Sequence, residues 1–84
     1  MPGTIPFAVL LFASYAEALE TSVLELDMPE GSTVRDLIRA VRSAPGGNTI
    51  PAQPLVAVNM EYAAPGRVLQ TGDEVALIPA TAGG

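Results

Sequence analysis

Five small residues, Ala80-Thr81-Ala82-Gly83-Gly84, follow the last strand-like segment of this sequence and end in a carboxyl group. They carry no bulky apolar side chain and no charge except that carboxylate. Fully extended they would reach roughly 17 Å. Glycine has no Cβ, so the walls of a pocket can close on Gly83 and Gly84 and still admit the backbone. A thin, flexible tail of this kind suits delivery of a terminal carboxyl into another protein's active site. The same composition also fits a frayed terminus with no task. Gly46-Gly47, inside the chain, reads as a simple turn.

Little else in the 84 residues offers reaction chemistry. There is no Cys, His or Lys; the charged groups are Arg35, Arg39, Arg42 and Arg67 with nine carboxylates, for a net charge of −5. That excludes a thiolate zinc site, a thiol nucleophile, an imidazole base and a disulfide, and no metal site is expected. An acidic, lysine-free surface argues against nucleic acid, whose phosphates need a basic patch. With 49% hydrophobic residues the chain is a packed domain rather than a disordered acidic segment. Its length allows one domain. The longest apolar run, residues 5–13, is interrupted by Pro6 and falls far short of the roughly 20 residues of a bilayer span. No Lys or Arg precedes it, so it reads as a strand rather than a secretion signal, and a cytoplasmic protein without membrane contact is expected.

The elements follow from hydrophobic periodicity. Phe7-Ala8-Val9-Leu10-Leu11-Phe12-Ala13 is apolar at every position, as a strand covered on both faces would be. Residues 14–20 suit one or two helical turns. From Val23 the pattern alternates, with Leu24, Leu26 and Met28 on one face and Glu25 and Asp27 on the other, which predicts a half-buried strand hairpinned in space with the first. Pro29-Glu30-Gly31 closes it as a turn. The clearest helix starts at Thr33, with Asp36 in capping-box position and Val34, Leu37, Ile38 and Val41 on one stripe. Arg35, Arg39 and Arg42 form the opposite, solvated face; a binding stripe is the alternative. Pro45-Gly46-Gly47 ends the helix, and residues 45–54 read as a loop. Leu55-Val56-Ala57-Val58-Asn59 is an interior strand, a looser stretch around Tyr62 and Arg67-Val68-Leu69 adds a short one, Gln70-Thr71-Gly72-Asp73 is a turn, and Glu74 to Pro79 is the last strand. This order gives an α+β fold, a mixed sheet wrapped on one main helix.

At this level of detail the sequence resembles the small, sulfur-carrying subunits of molybdopterin synthase, within the ubiquitin-like β-grasp sulfur carriers. The resemblance runs along nearly the whole chain. It rests on Val9-Leu10-Leu11-Phe12-Ala13, on the helix start Thr33-Val34-Arg35-Asp36-Leu37, and most densely on Ala57-Val58-Asn59, Thr71-Gly72-Asp73-Glu74-Val75-Ala76, Ile78-Pro79 and Gly83-Gly84. It implies a β-grasp domain over residues 1–79 and a functional tail over residues 80–84. In that family a separate ubiquitin-activating-like enzyme adenylates the residue equivalent to Gly84 with ATP, and the acyl group becomes a thiocarboxylate. Thr81, Ala82, Gly83 and Gly84 would then enter the active site of a large catalytic subunit, in a heterotetramer with two of each chain. The large subunit would bind the pterin precursor and supply the acid–base groups, so this chain is expected to bind no cofactor and to catalyse nothing alone.

The resemblance also points to Phe12, Tyr62 and Ile78 as partner-binding residues, with ordinary strand packing as the alternative for Phe12 and Ile78. The acidic balance implies basic docking surfaces on the partners. Two positions depart from the family pattern. Ala16 stands where an Arg is frequent, so an ion pair with a partner is in doubt, and Pro79-Ala80 replaces Pro-Pro, which loosens the tail slightly. Sulfur donation for thiamine or another thio-compound, a ubiquitin-like modifier joined through Gly84, and a binding module with an inert tail all remain open. An activated acyl group would acylate nearby amines, and the absence of Lys removes the side-chain ones; a compositional lean toward Ala, Gly, Pro and Arg explains that absence equally well.

Overall fold

A computed structural model describes residues 3–79. The expected tail, residues 80–84, lies outside the described residues, and with it Thr81, Ala82, Gly83 and Gly84. Strand β1 (Thr4–Leu11) leads into helix α1 (Ala13–Leu19), strand β2 (Val23–Pro29) and the main helix α2 (Val34–Ser43). A short 3-10 turn at Gly47–Thr49 then precedes β3 (Leu55–Val58), β4 (Glu61–Tyr62) and β5 (Val75–Ile78). The five strands form one sheet in the order β2-β1-β5-β3-β4. Its centre is a parallel pair, β1 with β5, in which Val9 lies beside Val75 and Leu11 beside Leu77. The β1–β2, β3–β5 and β3–β4 pairs are antiparallel.

Helix α2 forms where the sequence predicts it. The Thr33 hydroxyl accepts from the Asp36 amide at 3.2 Å while the Asp36 carboxylate accepts from the Thr33 amide at 3.0 Å, a complete capping box. These two bonds satisfy donors the first turn would otherwise leave open. The hydrogen bonds from Thr33, chiefly from its amide, hold the Asp36 carboxyl below the usual carboxylate range, and the nearby Arg39 and Arg35 add to the effect. Val34, Leu37, Ile38 and Val41 are all buried, and they pack with Val9, Leu11, Val56, Val58, Val75 and Leu77 into one core. All six strand residues alternate onto the same sheet face.

That alternation corrects one expectation. β1 is covered on one face only: Phe7, Val9 and Leu11 are buried, whereas Ala8 is exposed, Leu10 is half-covered and Phe12, just past the strand, is exposed. An unbroken apolar run therefore does not mean two covered faces. Its outward residues have no helix over them among the described residues.

The Gly46-Gly47 pair is more than a simple turn. Gly46 sits at φ +85, and a Cβ there would run into the backbone of Ala18 and Leu19 at the end of α1. A Cβ on Gly47 would meet the backbone of Val41 and Arg42 at the end of α2. The two glycines thus let the ends of both helices and the 3-10 turn close on one another, with the Gly47 amide donating to the Ala44 carbonyl at 2.8 Å. Gly47→Ala should lower unfolding stability by about 1–3 kcal/mol through this overpacking. Gly66→Ala, where an added Cβ meets nothing within 4 Å, should leave it within about 0.5 kcal/mol. Urea denaturation of the two variants beside the parent checks the contrast.

Candidate functional site

The three residues singled out as partner contacts come together on the face of the sheet opposite α2. Backbone register explains why. Leu10 pairs with Ala76, Ala76 with Ala57, and Ala57 with Tyr62, so four strands contribute one row of outward side chains. In the next row Ile78 lies beside Leu55, and Phe12 follows one residue after the Leu11–Leu77 pair. Phe12, Tyr62 and Ile78 line one shallow depression of about 420 Å³ together with Leu10, Ala57, Met60, Glu74 and Ala76.

Much of this surface is apolar and open. Phe12 is 48% exposed, Leu55 45%, Tyr62 74% and Met60 89%. Ile78 is half-buried. Exposed large apolar groups gathered on one face make it a candidate interaction surface, because a free monomer gains nothing by leaving them in water. The expected packing alternative does not hold for Phe12: its ring is not in the core, and the residue serves as the uncapped start of α1. Register also places Glu25, opposite Ala8, and Asp27, opposite Pro6, on this face. With Glu74 they give the apolar patch an acidic border.

One end of the patch is held by a polar clamp. The Asn59 side chain donates to the Asp73 carboxylate at 2.8 Å and accepts from the Glu74 amide at 2.9 Å, while the Asn59 amide donates to the Glu74 carbonyl at 2.8 Å. Asp73 also accepts from the Gln70 amide at 2.8 Å. That backbone bond, more than the Asn59 contact or the Arg67 guanidinium 3.9 Å away, keeps the Asp73 carboxyl below the usual carboxylate range. The clamp ties the β3–β4 turn to the start of β5 and so fixes Met60 and Tyr62 relative to Ile78. Within that turn Asn59 has φ 53 and Met60 φ 69. Asn tolerates the left-handed region; Met does so only under strain.

The family resemblance thus named three residues that share this face, Phe12, Tyr62 and Ile78, and did not name Leu10, Leu55, Met60 and Ala76 beside them. Strict alternation, applied outward from the buried Val75 and Leu77, would have found Ala76 and Ile78 together. Met60 was legible only as the second residue of a turn between Val58 and Glu61 that has no glycine. Among the described residues, no group of three or more Asp or Glu could hold a metal ion. No described helix is long and apolar enough to cross a membrane.

Comparison with known proteins adds an independent line. The profile of the ThiS family matches residues 9–84. The molybdopterin synthase sulfur carrier subunit of Arabidopsis thaliana is 33% identical over 83 residues, covering 98% of this chain and 86% of that protein. Among solved structures, SAMP1 of Haloferax volcanii, a small archaeal modifier protein, superposes with a TM-score of 0.81 at 28% identity, covering 94% of this chain and 99% of that one. A Pyrococcus furiosus protein provisionally named molybdopterin converting factor, subunit 1, gives a TM-score of 0.77 at 24% identity over 89% of this chain and 97% of that one, a likeness of fold. These matches identify the mixed sheet and helix as the ubiquitin-like β-grasp.

Strain at Met60 has a measurable consequence. Met60→Gly should raise unfolding stability by about 1 kcal/mol by relieving the left-handed strain. Thermal and urea denaturation read this directly; an unchanged or lower stability would mean that the side chain is held by contacts worth more than the strain.

Proposed function

The chain belongs to the ThiS family of ubiquitin-like sulfur carriers, and on that premise we propose that it is the sulfur carrier of a molybdopterin synthase, with its sulfur held on the carboxyl of Gly84. The observation that carries this reading is the relative named molybdopterin synthase sulfur carrier subunit, 33% identical across 98% of the chain.

The chemistry suits what the residues offer. A carboxylate is a poor electrophile, so its oxygen must first attack the α-phosphorus of ATP, releasing pyrophosphate and leaving an acyl-adenylate. Hydrosulfide, delivered by the activating machinery, then attacks the acyl carbon, forming the C–S bond as the C–O bond to AMP breaks and AMP leaves. The resulting thiocarboxylate is an anionic nucleophile on a backbone without side-chain bulk at its last two positions. The chain itself has no Cys, His or Lys, so the acid–base work falls to the large subunit and the activation to a separate ubiquitin-activating-like enzyme. Thr81 to Gly84 enter the partner's pocket, and Phe12, Tyr62 and Ile78, with Met60 and Leu55, dock against its rim. Two copies of each subunit form the working synthase, in the cytoplasm.

The site's placement supports docking and delivery together. β5 ends at Ile78, within the apolar face, so a surface that binds this patch receives the segment that follows it. A second reading, conjugation of Gly84 to lysines of other proteins, is favoured by the likeness to SAMP1, a small archaeal modifier protein, at 28% identity.

Intact-mass measurement of the protein isolated from cells that contain its activating enzyme separates the two readings. A mass gain equal to sulfur replacing oxygen, lost on deletion of Gly84 together with molybdenum-cofactor synthesis, is expected. A ladder of higher-mass conjugates through Gly84 without the sulfur form would establish the modifier instead. Full cofactor synthesis by the Gly84 deletion would contradict the sulfur-carrier reading.

A further inference from the structure

Three of the chain's four cationic side chains gather at one groove on the opposite side of the sheet. Arg35, Arg39 and Arg42 of α2 line it on one side; Ala52, Gln53 and Pro54 of the loop before β3 line the other. Its floor is apolar, made by Val34, Ile38, Val56 and Ala63, and it encloses about 260 Å³. All three arginines are exposed, as a solvated helix face requires, and the groove runs along that face. The Arg42 Nε–H donates to the Ile50 carbonyl at 2.9 Å, which ties the guanidinium to the loop.

Among the described residues none of these three cations forms an ion pair within 4 Å; Arg35 and Arg39 act on Asp36 only at longer range. Among the described residues the one ion pair is Arg67–Asp73. The nearest acid along the helix is Asp36, whose carboxylate is engaged by the Thr33 amide in the cap. In a chain of net charge −5, such a local excess of positive charge is the reverse of the acidic border on the other face.

We propose that this groove binds a short, extended acidic segment of a partner protein, with one aliphatic side chain seated on the floor and carboxylates on the arginines. Charge complementarity selects the occupant. Guanidinium groups favour carboxylates in bidentate geometry, and the apolar floor asks for a side chain that a free inorganic anion lacks. Arg35 and Arg39 stand one helical turn apart and Arg42 one turn further, about 10 Å in all, which is the span of about three extended residues. Pro54 lies one residue beyond the Leu55–Ile78 pair, so the groove opens at the sheet end where β5 finishes. A partner bound at the apolar face could continue round that rim.

The experiment is a titration of the full-length, isotope-labelled protein with an eight-residue peptide in which Asp and Glu flank Ile and Leu, followed by amide and arginine Nε–H NMR shifts. Shifts should concentrate at Val34, Arg35, Ile38, Arg39, Gln53 and Ala63. Arg39→Glu should weaken the peptide at least tenfold with an unchanged melting temperature, and raised salt should weaken it further. A peptide with Lys in place of the acids should cause no shifts. The proposal is overturned if the acidic peptide causes none, if it acts on Phe12 and Tyr62 instead, or if inorganic phosphate displaces it at equal concentration. It is also overturned if deleting residues 80–84 alone reproduces the groove shifts, which would assign the groove to the chain's own tail.

Discussion

Because β1 and β5 pair in parallel, with Val9 beside Val75, Leu10 beside Ala76 and Leu11 beside Leu77, the first and last strands run side by side through the middle of the sheet and finish at the same end. Most of the functional geometry descends from that contact. It puts the chain's exit next to Phe12 and Ile78. It leaves β3 to pair on the far side of β5, which brings Tyr62 into line with Leu10. It also divides the alternating residues of both central strands between a face under α2 and a face without one. The buried half, Val9, Leu11, Val75 and Leu77, is wholly enclosed, so a register slip of a single residue would exchange core for surface along the whole sheet.

The capping box at Thr33 and the two glycines at 46 and 47 act on this frame from the helix side. The first sets where α2 starts; the second sets how closely its end approaches α1. Met60 shows the opposite economy. A bulky residue at φ 69 costs stability, yet its side chain is the most exposed apolar group on the open sheet face. The Asn59–Asp73–Glu74 clamp is what holds the turn in that conformation. Local strain beside a bare apolar patch is what a surface shaped for a partner, rather than for the free monomer, would show.

Much of this was legible in the residues, for identifiable reasons. The main helix could be placed because its cap, its apolar stripe and its terminating Pro-Gly-Gly agree. The β2 strand could be placed because its alternation is strict. The both-sided reading of β1 failed because apolarity at Ala8, Leu10 and Phe12 is as compatible with an open sheet face as with burial in a core. The stripe Arg35, Arg39, Arg42 was readable as a helix face, but the Ile50 carbonyl that receives Arg42 lies eight residues away across a loop whose path no local pattern predicts. Phe12, Tyr62 and Ile78 came from family resemblance. Met60, Leu55 and Leu10 needed the cross-strand register, which pairs residues far apart in sequence.

The central claim is that the apolar face docks the partner into which the terminal carboxyl is delivered. Isothermal titration of the large synthase subunit with the Tyr62→Asp variant tests it most directly, because Tyr62 is exposed on an edge strand and its replacement should leave the fold intact. The account predicts affinity at least tenfold weaker than the parent's, with unchanged circular dichroism. Equal affinity for the two proteins would contradict it.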